Sequence, residues 1–352
     1  MIALIMAGGI GSRFWPLSRK DKPKQFLPIV SSDSMIRLTV DRLQEKIKIT
    51  DIYIVTAAEQ AALVREHLPE LPPENIICEP FGMNTAPCIG LSLAWLQDKY
   101  PADETMLVAA ADHLITKTDS FFECLETAEK AAHKGYLVTM GIMPDYPSTS
   151  YGYIESGDEL VKGVHQVRRF KEKPDLETAA EYLQTGNFLW NSGMFVWQLE
   201  AINRAYENLQ PEIWNLLKEV KSVWHEKGNA ADIGILYAKM PRIPVDVGIM
   251  EKSDNIAVVP ADIGWSDVGG WKALAELSSA DEQGNCFKNK QHLQIGSTNN
   301  YVYSDKMVSL IGVNNLVVVE TEDVLLIMDK ERSEEVKTLV NILKKEHKDD
   351  LL

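Results

Sequence analysis

The residues whose types and spacing could do chemistry begin with Ala7-Gly8-Gly9-Ile10-Gly11-Ser12-Arg13-Phe14-Trp15-Pro16-Leu17-Ser18-Arg19-Lys20-Asp21-Lys22-Pro23-Lys24-Gln25-Phe26. Glycines directly after an apolar run let backbone N–H groups approach an anion with no Cβ in the way. Gly8, Gly9, Gly11 and Ser12 therefore read as a phosphate cradle. The first 25 residues carry five basic side chains (Arg13, Arg19, Lys20, Lys22, Lys24) against one acidic, Asp21, in a chain whose formal net charge is -15. A tight strand exit would explain the glycines alone, but this local inversion of charge points to an anionic ligand. Two familiar phosphate loops do not fit. Gly9-Ile10-Gly11 lacks the third glycine of a dinucleotide-binding turn, and Pro16 and Pro23 prevent an immediate long helix. No G-x-x-x-x-G-K-[ST] is present.

Further candidates lie along the chain. Asp112 follows the apolar run Met106 to Ala111, where a carboxylate at the carboxyl edge of a parallel sheet is placed to hold a metal ion. Asp267 sits in a turn between Trp265 and Gly269, with capping of the helix from Trp271 as its plain alternative. Glu79 and Asn84 flank a Pro-Phe-Gly turn. A carboxylate at Glu79 could accept both N1–H and N2–H of guanine, although it could also only favour the start of a helix at Thr85. Asn84 could cap that helix as well as touch a nucleotide. Glu172 and Lys173 lie in a Glu-Lys-Pro turn, able to bind sugar hydroxyls and a phosphate, or to form an ordinary solvated ion pair. The tryptophans at 190, 197, 214 and 224 read as core, and no Ser-His-Asp arrangement is legible.

The first segment, G-x-G-x-R followed by W-P-L-S-R and P-K-Q-F, resembles the signature of sugar-1-phosphate nucleotidyltransferases in their GDP-mannose pyrophosphorylase form. Seven more motifs follow in that family's order: Glu79 to Pro87, Ala111 to His113, Tyr151 to Ile154, Phe170 to Pro174, Trp190 to Phe195, Val245-Asp246 with Met250 to Lys252, and Gly264 to Gly269. The resemblance implies transfer of GMP from GTP to α-D-mannose 1-phosphate by direct in-line attack, with pyrophosphate leaving. Positioning, cations and Mg²⁺ would supply the catalysis, without a side-chain nucleophile. It places Arg13 near the leaving pyrophosphate and Lys24 near the α-phosphate. It also makes Asp112 and Asp267 joint Mg²⁺ ligands, puts Thr85 with Glu79 and Asn84 at the nucleotide, and adds Gly152 and Asn191 to Glu172 and Lys173 at the sugar phosphate. A homodimer is expected.

The chain departs from the family pattern in places. Met83 stands where an arginine is usual, which removes a cation beside the nucleotide, Ala110 replaces a proline, and Ser150 precedes Tyr151-Gly152. No His-x-His and Glu cluster of the fused isomerase domain is present, so transferase activity without isomerase activity is expected. The alternatives are a nucleotidyltransferase for another sugar 1-phosphate, or a non-catalytic sugar-nucleotide sensor. A sensor would be expected to lack Lys24, Asp112 or Asp267.

These residues need elements to hold them. Apolar runs at Met1 to Ala7, Asp51 to Thr56, Met106 to Ala111 and Tyr136 to Gly141 alternate with helical patterns at Met35 to Lys46, Glu59 to His67, Thr85 to Tyr100 and Phe121 to His133. That alternation predicts an α/β fold, a Rossmann-like, mostly parallel mixed sheet flanked by helices, with ligands at the carboxyl ends of its strands. Beyond Asp281, short apolar pieces at Tyr301 to Tyr303, Val308 to Val313, Leu316 to Glu320 and Val324 to Met328 are separated by polar turns, before a last helix at Glu334 to His347. We expect a catalytic domain over 1–275 and a small β-rich C-terminal domain over 282–352, with a small sheet and a short left-handed β-helix as the two geometries left open. With 352 residues, 45% hydrophobic, the chain can bury a large core. Its negative charge excludes nucleic acid and anionic membrane as partners. Four scattered cysteines and no targeting segment predict reduced thiols in the cytoplasm.

Overall fold

The computed structural model describes residues 1–228, 230–288 and 291–352. Two compact units are present: Met1–Gly8, Val40–Ala111 and Ile115–Trp265 form the first, and Gly9–Thr39, Asp112–Leu114 and Ser266–Leu352 the second. The glycine-rich loop thus belongs to the same unit as the C-terminal strands.

The first unit is built on a nine-stranded sheet. Its strands are β1 (Ile2–Met6), β2 (Ile52–Ala57), β3 (Ile76–Glu79), β4 (Thr105–Ala110), β5 (Leu137–Ile142), β6 (Tyr153–Val161), β7 (Val164–Lys171), β8 (Phe188–Gln198) and β9 (Ile256–Pro260). Their order is β3-β2-β1-β4-β8-β5-β9-β7-β6. β1 runs parallel to β2 and β4, β2 to β3, and β5 to β9, whereas β8 runs antiparallel to both β4 and β5. The sheet is therefore mixed, as the alternating pattern predicts. β1, β2 and β4 are apolar almost throughout because strands buried on both faces have no solvated side to carry polar residues.

Helices α1 (Met35–Gln44), α2 (Ala61–His67), α3 (Thr85–Leu96), α4 (Thr118–Ala132), α5 (Leu176–Thr185), α6 (Leu199–Leu209), α7 (Pro211–Lys227) and α8 (Gly234–Ala238) follow in turn. One core cluster joins Leu4, Val55 and Val108 of the sheet to Ile89 of α3, Tyr206 of α6 and Leu217 of α7. Trp197 and Trp224 are buried in the same cluster, and Trp214 packs against it. Most predicted boundaries lie within a few residues of those observed. Helix α3 stops at Leu96 rather than running to Tyr100.

The second unit holds α9 (Trp271–Leu277), the strands β10 (Cys286–Phe287), β11 (His292–Ile295), β12 (Tyr301–Tyr303), β13 (Val308–Ile311), β14 (Leu316–Glu320) and β15 (Leu325–Asp329), and α10 (Val336–Lys345). β10, β12 and β14 stack in parallel, β11 pairs in parallel with β13, and β15 turns back antiparallel to β14. Parallel pairing of alternate short strands, each lying on the strand one rung before it, makes a β-helix rather than a hairpin sheet. Asparagines bridge its turns: Asn299 Nδ2 donates to Asn315 Oδ1 at 2.9 Å, and Asn300 Nδ2 to Asn285 Oδ1 at 2.8 Å. The core of this unit joins Phe14, Trp15 and Trp271 to Tyr301, Val319 and Val340.

The four cysteines carry free thiols, with Cys88 and Cys286 buried and Cys78 exposed. Among the described residues no helix is long and apolar enough to cross a membrane.

Candidate active site

In the second unit the glycine-rich loop is wound around Lys24. Gly11 has φ +70°, and a Cβ there would lie 2.3 Å from Cβ of Lys24, so conformation and space both demand glycine. The Lys24 amide donates to the Ile10 carbonyl at 3.1 Å, and the Ser18 hydroxyl donates to the Gly11 carbonyl at 2.7 Å. The Trp15–Pro16 peptide is cis. Lys24 is only 5% exposed, unlike its solvated neighbour Lys22. Its ammonium donates to Asp112 Oδ2 at 2.8 Å and to the main-chain oxygens of Asp112 at 3.2 Å and Asp267 at 2.7 Å. Burial alone would raise the Asp112 carboxyl, but the charges of Lys24 and His113 and the bond from Lys24 hold it below the usual carboxylate range. Helix α9 takes Gly270 as its N-cap, with no side-chain capping bond. The carboxylate of Asp267 instead folds toward Gly269, where a Cβ would meet its Oδ2 at 2.9 Å.

Arg13 lies on the same loop, its Nε 2.7 Å from a carboxylate oxygen of Glu334, just before α10. Three further ties fix the loop. Trp15 Nε1 donates to the Leu351 carbonyl at 2.7 Å, and Trp271 Nε1 donates to the Trp15 carbonyl at 3.0 Å. Arg19 grips both carboxylate oxygens of Asp323, at 2.8 and 3.1 Å.

In the first unit the predicted nucleotide residues gather at the start of α3. Asn84 Oδ1 accepts the Thr85 N–H at 2.8 Å, making Asn84 the helix cap, and Thr85 Oγ1 accepts the Val245 N–H at 2.8 Å. Glu79 ends β3 and is 2% exposed. The Tyr237 hydroxyl, the Cys88 thiol and the Met83 N–H all donate to its carboxylate. Burial raises its pKa against the pull of these bonds. A Cβ on Gly8 would be 3.4 Å from Glu79 Oε2, so the carboxylate stands directly behind the first glycine of the loop. Met83, where the family has arginine, packs its side chain against the apolar core.

Also in the first unit, the four predicted sugar-phosphate residues come together. A Cβ on Gly152 would fall 2.5 Å from Glu172 Oε2, Asn191 N donates to the Gly152 carbonyl at 2.8 Å, and Lys173 pairs with Glu172. Lys173 has φ 45°, a left-handed conformation unusual for a residue with a side chain. Asp246 completes this group, accepting from Asn191 Nδ2 at 2.7 Å. Burial first, and the charge of Glu172 second, push its pKa up to about 6. Sequence reasoning identified Val245-Asp246 as a motif without giving the acid a role. Tyr237, the partner of Glu79, had no signal of its own.

Residues 2–284 match the nucleotidyl transferase family, and residues 290–343 match the mannose-phosphate isomerase/GMP-like β-helix domain. The chain is 41% identical over 99% of its length to a mannose-1-phosphate guanylyltransferase of Klebsiella pneumoniae, covering 75% of that protein. The chain belongs to the nucleotidyl transferase family, in its mannose-1-phosphate guanylyltransferase branch. A second guanylyltransferase relative, from Escherichia coli, is 41% identical over 98% of this chain, which covers 74% of it. Among solved structures, a protein of Thermus thermophilus described as a mannose-1-phosphate geranyltransferase superposes with a TM-score of 0.88 at 31% identity. That likeness covers 97% of this chain and 99% of the other. The family resemblance carried by the sequence motifs is thus borne out, as is the mixed sheet with a small β-rich domain after it, and of the two geometries left open for that domain the β-helix is the one present.

Proposed function

We propose that this chain transfers GMP from GTP to α-D-mannose 1-phosphate, giving GDP-mannose and pyrophosphate. The observation that carries the reading is Lys24, a buried ammonium held by Asp112 and the Asp267 carbonyl on the loop that bears the family signature. A sensor on the same fold would have no use for so costly a burial of charge.

The sugar phosphate oxygen attacks the α-phosphorus, its P–O bond forms as the bond to the β-phosphate oxygen breaks, and pyrophosphate carries away the electron pair. Lys24 stabilises charge gathering at the α-phosphate, and Arg13 leaves Glu334 to meet the β- and γ-phosphates. Backbone N–H groups of Gly8, Gly9, Gly11 and Ser12 line the phosphate path. Glu79, Asn84 and Thr85 select and seat the guanosine, while Gly152, Glu172, Lys173 and Asn191 hold mannose 1-phosphate.

Mg²⁺ fits the donor set. Lys24 bonds a carboxylate oxygen of Asp112 and the main-chain oxygen of Asp267, which sets the two acids on either side of one ammonium. Among the described residues no group of three or more His, Cys, Asp or Glu could form a complete protein cage. Two carboxylates with substrate phosphates and water are what this ion prefers. Asp112 and Asp267 would hold it, and bound there it would neutralise phosphate charge.

The working form would be a cytoplasmic homodimer, with residues 1–275 as its catalytic domain and 282–352 as its β-rich domain. Pyrophosphate release measured across a grid of nucleoside triphosphates and hexose 1-phosphates tests the reading. GTP with mannose 1-phosphate should give the highest kcat/KM; a different best pair would reassign the substrates, and no release with any pair would remove the activity.

A further inference from the structure

Asn191, in the middle of β8, has an amide whose orientation is unusually well determined. Its Oδ1 accepts the Thr139 hydroxyl at 3.1 Å and the Gly193 N–H at 3.2 Å, which fills both lone pairs of that oxygen. Its Nδ2 donates one N–H to Asp246 Oδ1 at 2.7 Å. Asp246 opens a five-residue π-helix, Asp246–Met250, a wide turn that is rare in proteins and recurs at functional sites. That turn is itself secured, because Gln210 Nε2 donates to the Gly248 carbonyl at 2.7 Å. The carboxylate is only partly exposed and shares its surroundings with Glu172, so two acids stand where an apolar or uncharged side chain would be easier to accommodate.

We infer that Asp246 is a positioning residue of the mannose 1-phosphate site: it fixes the Asn191 amide so that the second N–H is presented to an oxygen of the sugar phosphate. The inference rests on the reading of Gly152, Glu172, Lys173 and Asn191 as that site. Without Asp246 the amide would be held through its oxygen alone, and the N–H offered to substrate would lose its set direction. The cost should fall on sugar-phosphate binding and leave the nucleotide untouched. A second carboxylate beside Glu172 also suits a ligand rich in hydroxyl donors, which supplies hydrogens to both acids.

The experiment is steady-state kinetics of the full chain with GTP and mannose 1-phosphate each varied, on Asp246→Ala, Asp246→Asn, Asn191→Ala, Glu172→Gln and the Asp246→Ala/Asn191→Ala pair. Asp246→Ala should raise KM for mannose 1-phosphate by about ten- to a hundred-fold, the range for one lost charge-assisted bond, with KM for GTP within about two-fold. Asp246→Asn, whose amide oxygen can still accept from Asn191, should recover most of that loss. The double variant should be no worse than Asn191→Ala, since both act through one amide. A normal KM for mannose 1-phosphate in Asp246→Ala, with Asn191→Ala impaired, would overturn the positioning role alone. Equal losses for both substrates, or additive losses in the pair, would also overturn it by making Asp246 a general structural residue. Normal kinetics in both Asn191→Ala and Glu172→Gln would remove the sugar site itself, and the inference with it. Should Asp246→Ala not fold, Asp246→Glu replaces it, keeping the charge but displacing it by one methylene. An unchanged KM for mannose 1-phosphate there would count against the role in the same way.

Discussion

The ammonium of Lys24 stands 2.8 Å from a carboxylate oxygen of Asp112, a residue 88 positions away in the chain. Folding has brought a cation of the glycine-rich loop against the proposed metal ligand. Lys24→Ala should therefore lower kcat by roughly 10² to 10³, the scale for one preorganised electrostatic contact. Lys22→Ala, an exposed neighbour, should stay within a few-fold. Turnover measured at two ionic strengths checks this. Equal, salt-sensitive losses at both lysines would reduce the loop to a diffuse attractor of anions.

Removing divalent cations should abolish turnover, and Mg²⁺ should restore it, because Asp112 and Asp267 are proposed to share the ion. Pyrophosphate release in excess chelator, before and after Mg²⁺ is added back, is the measurement. Full turnover without metal would remove both acids from the metal-ligand role.

Glu79→Gln should impair GTP use more than ATP use if the carboxylate takes part in reading guanine, since a neutral amide loses charge-assisted acceptance. The structure sharpens the test. Glu79 already accepts from Tyr237, Cys88 and the Met83 N–H, so it also shapes the turn at residues 80 to 84. Competition kinetics with the two nucleotides would show which role dominates, and equal losses would confine Glu79 to the turn.

Asp246 should make the ligand-free protein less stable as pH rises. Its folded pKa of about 6 lies above the ordinary value of 3.8, through burial and then the charge of Glu172, with Lys173 and Asn191 opposing. The folded state thus holds the proton longer than the unfolded one. The penalty is absent below about pH 4, builds between about 4 and 6, and is complete above about 6. Asp246→Asn should accordingly raise Tm at about pH 8 by an amount equivalent to about 1–3 kcal/mol and leave it unchanged at about pH 4. Calorimetry at the two pH values decides it; no gain at the higher pH would mean that the charge is already compensated.

Much of this was legible beforehand because it is local. β1 ends in glycines, the acids and cations sit in recognisable motifs, and strand alternates with helix along the first half of the chain. For the C-terminal strands the sequence leaves a small sheet and a β-helix both open, yet a repeat is present: Ile295-Gly296 recurs as Ile311-Gly312, and the two strands pair residue for residue. What could not be read was contact at long range. Spacing alone does not indicate that Asp246 would meet Asn191, or that Tyr237 would reach Glu79, since each bond closes through the packing of elements far apart in sequence.

Arg19 and Asp323 are separated by 304 residues and joined by two hydrogen bonds, while Trp15 is tied to Trp271 and Leu351. The glycine-rich loop and the β-helix are therefore one heritable piece. A crossover that exchanged residues 282–352 for those of a distant homologue would keep every proposed substrate contact and still dismantle the scaffold behind the loop. Chimeras joined just before that segment should succeed only where the incoming piece supplies equivalents of Asp323 for Arg19 and of the Leu351 carbonyl for Trp15.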